Sequence, residues 1–346
     1  MVITMSEENN RYNALNGLRM LAAFGIVMMH VKANSVYNIS GWIYNTCIDS
    51  FTNFVFLFMV ISSFGMCCGY YDKIINNKIS ITDFYAKRFR KILPFFTILV
   101  FIDFIVSPSV DALYETFADI TLLFGFLPDC GDISVIGVGW FIGLIFVFYI
   151  AFPFFCTLLT SKKKAWTAFA ISLMYNYACL HYFNVGRNNI LFSACFFIAG
   201  GLLYLYREQI AHINIWIMLA VTAVSIVLYY IILYYILNRN VAGCLIVSAT
   251  LVMYAMLSNG GLLDNKVAAF FSGISMEIYL SHMFIFRIIE KIKLNYIFGY
   301  SWGGYISTVV LVLIGTTAFA VVVKHILKYM NKIVWNKKLG GECNGR

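Results

Sequence analysis

Charge is what this chain has least of. Asp, Glu, Lys and Arg together make up 12% of its 346 residues, where a soluble domain carries about a quarter. Set beside 61% hydrophobic and 18% aromatic residues and a mean hydropathy of +0.81, that shortage excludes an ordinary soluble domain and describes a polytopic membrane protein. The sequence also has no CxxC pair and no His/Cys cluster. Its nine Cys are scattered, mostly through apolar segments (Cys67, Cys68, Cys156, Cys179, Cys195, Cys244), so no metal or redox centre is expected, because ligands need convergent spacing. Cys47 and Cys130 fall in loops expected on one side and could pair. The first apolar stretch, preceded by Ser6-Glu-Glu-Asn-Asn-Arg11, lacks a small-residue cleavage site and therefore reads as a retained span. The net charge of +9 does not point to nucleic acid, since Lys and Arg in a membrane chain set orientation.

What the sequence does have is apolar length. Segments able to cross about 30 Å of hydrocarbon fall near 14–32, 51–71, 92–107, 136–159, 165–183, 190–206, 213–237, 241–257, 267–289 and 303–327. They must be helical, because lipid offers no partner to an unpaired backbone group. The expected fold is thus an all-α polytopic bundle of about ten transmembrane helices. The stretch 112–127 is broken by Glu115 and Asp119 and reads as an interfacial or re-entrant piece. Bases gather in the loop after the second span (Lys73, Lys78, Lys87, Arg88, Arg90, Lys91), in Lys162 to Lys164, and in the tail (Lys324, Lys328, Lys332, Lys337, Lys338). The loop 108–135 holds Asp111, Glu115, Asp119, Asp129 and Asp132 with no base. Both termini are then cytoplasmic, with a short leading segment (1–13), one membrane domain (14–329) and a tail (330–346). Neither an internal repeat nor a second soluble domain is expected.

Within this apolar background a few polar positions stand out. In Asn13 to His30 the ionisable side chains are Arg19 and His30, eleven residues apart. That spacing is about 20° past three turns, so both lie on one stripe, roughly 16 Å apart along the axis. A helix with Arg and His on one face in lipid is expected to line a cavity, although Arg19 snorkelling to one interface and His30 marking the other is the plainer alternative. The run Tyr85-Ala-Lys-Arg-Phe-Arg-Lys-Ile-Leu-Pro94 serves orientation and lipid contact by default. It equally suits a clamp for a phosphorylated ligand through Arg88 and Arg90. Trp140, in Gly137-Val-Gly-Trp-Phe-Ile-Gly143, is either an aromatic-belt anchor or part of a site where glycines allow close approach. Ser275-Met-Glu-Ile-Tyr-Leu-Ser-His282 places Ser275, Tyr279 and His282 on one face. Glu277 there must be protonated, hydrogen-bonded or paired with a cation such as Arg19; interhelical polar glue is the alternative reading.

Gly17-Leu-Arg19 with His30, the Arg88-x-x-Lys91 run ending in Ile-Leu-Pro94, Trp140-Phe141, and Ser275-x-Glu-Ile-Tyr-Leu-x-His282 occur together in this order. The chain thereby resembles the acyltransferase-3 family of integral membrane acyltransferases, from Asn13 to about Tyr329. Lys91 stands where that family commonly has Arg, which keeps the charge but loses the planar fork. The resemblance implies transfer of an acyl group, commonly acetyl, from cytoplasmic acyl-CoA to a hydroxyl of a cell-surface or secreted glycan. It further implies a multi-pass protein of a bacterial plasma membrane, without the hydrolase-like domain that some members append. Acetyl-CoA or another acyl-CoA is the donor, and no metal is needed. The partners are a glycan or lipid-linked sugar acceptor and membrane lipid, with glycan-synthesis proteins as candidates. Arg88, Arg90 and Lys91 would meet the coenzyme A phosphates. The arm would rise past Arg19 towards His30, a base or acyl acceptor, with Glu277 or Ser275 orienting its ring. Trp140, Tyr279 and His282 would serve substrate or structure. The competing class is a transporter or substrate-supply module for a small polar solute such as an amino acid, since intramembrane polar clusters serve transport too.

Overall fold

The computed structural model describes residues 12–127, 137–234 and 240–343, with side chains left undescribed at 232–234, 240 and 331–343. Among the described residues the regular structure is entirely helical, and the architecture is a membrane helical bundle. In chain order the helices are α1 (Ala14–Ala33), α2 (Phe54–Ile75), α3 (Ile81–Val106), α4 (Val110–Thr121), α5 (Trp140–Leu158), α6 (Lys162–His181) and α7 (Ile190–Leu205). They continue with the short α8 (Arg207–Ala211), α9 (Ile215–Leu228), α10 (Asn240–Leu257), α11 (Lys266–Gly273), α12 (Ser275–Lys291) and α13 (Trp302–Cys343). Over their described residues the ten apolar segments are predominantly helical. Four helical runs, Ala14–Ala33, Ile43–Ile75, Trp140–Leu158 and Trp302–Met330, are long and apolar enough to cross a membrane alone. Cys130 and the loop acids Asp129 and Asp132 lie outside the described residues.

Several helices start where a side chain can take an otherwise orphaned N–H. Ser80 Oγ accepts from Asp83 N at 3.0 Å and donates to the Asp83 carboxylate at 2.8 Å. Ser109 accepts from Ala112 N and Asn265 from Ala268 N, each at 2.9 Å. Because Ser80 caps α3, the basic run 87–91 belongs to the same helix as the apolar residues after it. Helix α4 exposes Val110, Leu113, Tyr114 and Phe117 and buries Asp119, an amphipathic piece of the kind expected at an interface.

The expected single span 267–289 is broken. Helices α11 and α12 meet at 65° around Ile274, and Ser275 begins a helix instead of lying inside one. Backbone groups freed at such a break need other partners. Ser275 Oγ donates to the Ser272 carbonyl at 2.9 Å and Lys324 Nζ to the Gly273 carbonyl at 2.8 Å.

Helix α1 is the centre of the bundle, packing against α2, α10, α11, α12 and α13. Its approach to the α10–α11 connection depends on Gly17. The Gly17 N–H donates to the Leu263 carbonyl at 3.0 Å, and a Cβ on Gly17 would collide with Leu263 backbone. Helices α2 and α7 come together in the same way at Gly200, where a Cβ would run into the Val60 carbonyl. Close backbone approach over small residues is how membrane helices gain packing energy. Gly200→Leu is therefore expected to destabilise the bundle by about 1–3 kcal/mol, read as a lower melting temperature in detergent. Gly69→Ala, which fills open space on α2, is the control and should melt close to the wild type.

Candidate functional site

Two features lie inside the bundle: a polar cavity, and a pair of histidines that does not line it. The cavity, about 430 Å3, is walled by α1 (Asn16, Arg19), α2 (Phe58, Ser62, Gly65, Met66), α3 (Arg88, Lys91, Ile92), α5 (Phe141, Ile142, Ile145, Tyr149) and the α11–α12 break (Ser272, Ser275, Glu277, Tyr279). The helical repeat decides which bases of the α3 run face it. Arg88 and Lys91, three apart, share that face, whereas Arg90 points away and is exposed.

Three cations, Arg19, Arg88 and Lys91, and one acid, Glu277, are the charged groups of the lining. Arg88 donates to the Tyr70 hydroxyl at 2.6 Å and lies over the Tyr70 ring, 4.6 Å from its centroid. Its Nε is buried and has no hydrogen-bond partner among the described residues. Arg19 reaches Asn16 Oδ1 at 3.5 Å, an oxygen that also accepts from Ser272 Oγ at 2.9 Å. Gly65 leaves the space beside Arg19: a Cβ there would come within 3.1 Å of Nη2. Glu277 is buried and paired with Lys324 of α13 at 3.0 Å. The cation that accompanies Glu277 therefore comes from the last helix and is not Arg19. Ser281, one turn on, donates to the Glu277 carbonyl at 2.7 Å.

Beyond the cavity, α1 and α12 bring His30 and His282 together, with ring centroids 4.9 Å apart. His282 is 1% exposed. Its Nδ1 is 2.6 Å from the Tyr279 carbonyl, while its Nε2 is buried with no partner among the described residues. The turn of α1 that carries His30 is fixed by Tyr305 Oη, which donates to the Met28 carbonyl at 2.9 Å. It is fixed again by Lys32, which pairs with Asp49 at 2.6 Å and donates to the Tyr44 carbonyl at 2.7 Å.

Neither histidine lines the cavity. Phe58, Phe141 and Tyr279, all three in the lining, form an aromatic partition, with ring centroids 6.2 Å (Phe58 to Phe141), 6.5 Å (Phe58 to Tyr279) and 5.4 Å (Phe141 to Tyr279) apart. Tyr279 touches both sides: it walls the cavity, and its ring centroid is 6.0 Å from that of His282. Its hydroxyl donates to the Val138 carbonyl at 3.0 Å.

The structure thus gathers Arg19, Arg88, Lys91, Ser275, Glu277 and Tyr279 in one cavity and sets His30 with His282 just past it. Trp140 stands apart from the cavity, against Phe141 at 5.8 Å and under the Arg187 guanidinium at 5.4 Å. Ser275 and Glu277 make their polar contacts with Ser272 and Lys324, away from the His30 ring.

Arg187 was not singled out in the sequence. It lies in the connection between α6 and α7, is held by Thr52 through its carbonyl at 3.1 Å and its hydroxyl at 2.7 Å, and its guanidinium sits over Trp140 beside the aromatic partition. The available signal was a lone Arg in a short connection on the base-poor side. Among the described residues no group of three or more His, Cys, Asp or Glu is placed to hold a metal ion.

A protein-family model described as an acyltransferase domain matches residues 12–325. Neither the curated proteins nor the solved structures give a match.

Proposed function

This chain belongs to the acyltransferase-3 family, and from that premise we propose that it moves an acyl group, acetyl in the first instance, from cytoplasmic acyl-CoA to a hydroxyl of a cell-surface or secreted glycan. The observation that carries this reading is a cavity bearing Arg19, Arg88 and Lys91 whose aromatic wall meets a pair of histidines at Tyr279. Its volume suits part of a small molecule, so the pantetheine arm enters while the nucleotide head stays at the mouth.

Arg88 and Lys91 meet the donor's phosphates there, Arg88 through donors that include the unpartnered Nε. This orientation makes the α3 basic end cytoplasmic, in keeping with about ten spans and both termini inside. The thioester passes Arg19 and reaches His30 when the rings of Phe58, Phe141 and Tyr279 turn aside. His30 takes the proton of the acceptor hydroxyl, whose oxygen attacks the thioester carbonyl carbon. The carbon–sulfur bond then breaks, and the departing thiolate takes the proton back from His30. Arg187, on the far side of the partition, offsets the charge that grows on the carbonyl oxygen. The acceptor reaches His30 as a glycan or a lipid-linked sugar, in a bacterial plasma membrane where glycan-synthesis proteins supply it.

Thermal unfolding of the detergent-solubilised protein separates this reading from transport. Acetyl-CoA at about 100 times its Kd is expected to stabilise by roughly 2.7 kcal/mol, seen as a rise in melting temperature, and free amino acids to leave it unchanged. Stabilisation by amino acids with none by acetyl-CoA would overturn the proposal in favour of solute supply.

A further inference from the structure

We propose that His282 is a positioning residue for His30, fixing which nitrogen of that ring carries hydrogen through a chain that begins at the Tyr279 carbonyl. The inference rests on the acyltransferase reading of His30 and adds a residue to it.

A carbonyl oxygen can only accept. The 2.6 Å contact between His282 Nδ1 and the Tyr279 carbonyl therefore puts the hydrogen on Nδ1. The ring is buried, and the two acids on its own helix, Glu277 and Glu290, are paired with Lys324 and Arg287. An unpaired cation in such a place is disfavoured, so His282 is neutral and its Nε2 is a bare acceptor. That nitrogen is the orphan: it is fully buried and has no partner among the described residues.

The polar ring packed against it is His30, at 4.9 Å between centroids. With the His282 ring held at the Tyr279 carbonyl, the proposal requires the His30 ring to turn about its Cβ–Cγ bond until one of its nitrogens meets His282 Nε2 at hydrogen-bond distance. A neutral imidazole has one N–H. Once His30 gives it to His282 Nε2, the opposite nitrogen is left with a free lone pair, the state a general base requires. When His30 takes up the substrate proton, the same bond holds the imidazolium in place. An imidazole anchored by a backbone carbonyl thus does for His30 what a carboxylate does for histidine in a hydrolytic triad. In the sequence this orienting role was assigned to Glu277 or Ser275, whose polar contacts lie elsewhere.

The test uses the full chain in native membranes that contain its acceptor, with [14C]acetyl-CoA as the probe. His282→Leu should lower kcat by about 100-fold and leave the KM for acetyl-CoA within about twofold. His282→Gln, whose amide both donates and accepts, should recover at least about tenfold over Leu. If His282→Leu keeps kcat within about threefold while His30→Ala is inactive, the positioning role is wrong and His30 keeps its place. If His30→Ala is active as well, the functional reading fails with it. Equal loss in folded Leu and Gln variants also overturns the role. Should the variants fail to fold, 15N NMR of the wild type decides, since the chain has five His: a bare, hydrogen-bond-accepting Nε2 on His282 is expected, and a hydrogen on that atom contradicts the proposal.

Discussion

Acyl transfer to the glycan is expected to fall by about 100- to 10,000-fold in His30→Ala, with protein level and melting temperature close to wild type. The size follows from what the substitution removes. The ring packs against His282 on a turn of α1 that is held independently by Tyr305 and by the Lys32–Asp49 pair. Losing the imidazole therefore leaves the helix anchored and deletes the proton acceptor. His30→Gln fills the space without supplying a base near neutral pH, so it should be as inactive as Ala. A glycan acetyl-ester assay in cells expressing each variant, with immunoblots for protein level, makes the measurement. Acetylation within a few-fold of wild type in either variant would remove His30 from the chemistry.

The second large effect is on donor affinity. Arg88→Ala should raise the KM for acetyl-CoA by about 10- to 100-fold, the worth of hydrogen bonds from a charged donor, while kcat falls much less. Arg88→Lys keeps the charge but not the fork and should lie between. Arg90 is the internal control. It sits two residues away in the same helix but faces outward, so Arg90→Ala should change KM by less than about twofold. A merely orienting role for the basic run would make the two Ala variants alike, because charge near the membrane is all that such a role requires. Initial rates of CoA release against acetyl-CoA concentration distinguish the two.

That contrast also marks where the sequence stopped being readable. The apolar segments were legible as helices because in lipid hydropathy and backbone satisfaction leave no other choice. The side of α3 that matters was not read off, even though its period alone separates Arg88 and Lys91 from Arg90. Other features depend on contacts between helices far apart in the chain. Arg19 was the cation named for Glu277 until the packing of α12 against α13 put Lys324 there instead, and nothing local in α1 says that His30 meets His282. The bend at Ile274 carries no proline to announce it. The carbonyls that an unbroken helix would have used are taken up by the Ser275 hydroxyl, a local partner, and by Lys324, a tertiary one that no reading of the segment alone supplies. Arg187 sat in a connection only eight residues long, at 182–189, too short to attract attention until its guanidinium was found against Trp140 and near His30.

The central claim is that a thioester donor occupies the cavity with its acyl end against the partition below the two histidines. Photo-crosslinking tests it directly, using an acyl-CoA analogue that carries a diazirine at the acyl end, in membranes, with peptides mapped by mass spectrometry. The account predicts label on Phe58, Phe141, Tyr279 or their immediate neighbours, abolished by excess coenzyme A and weakened in Arg88→Ala. Label confined to the lipid-facing surface, or undiminished by coenzyme A, would contradict it.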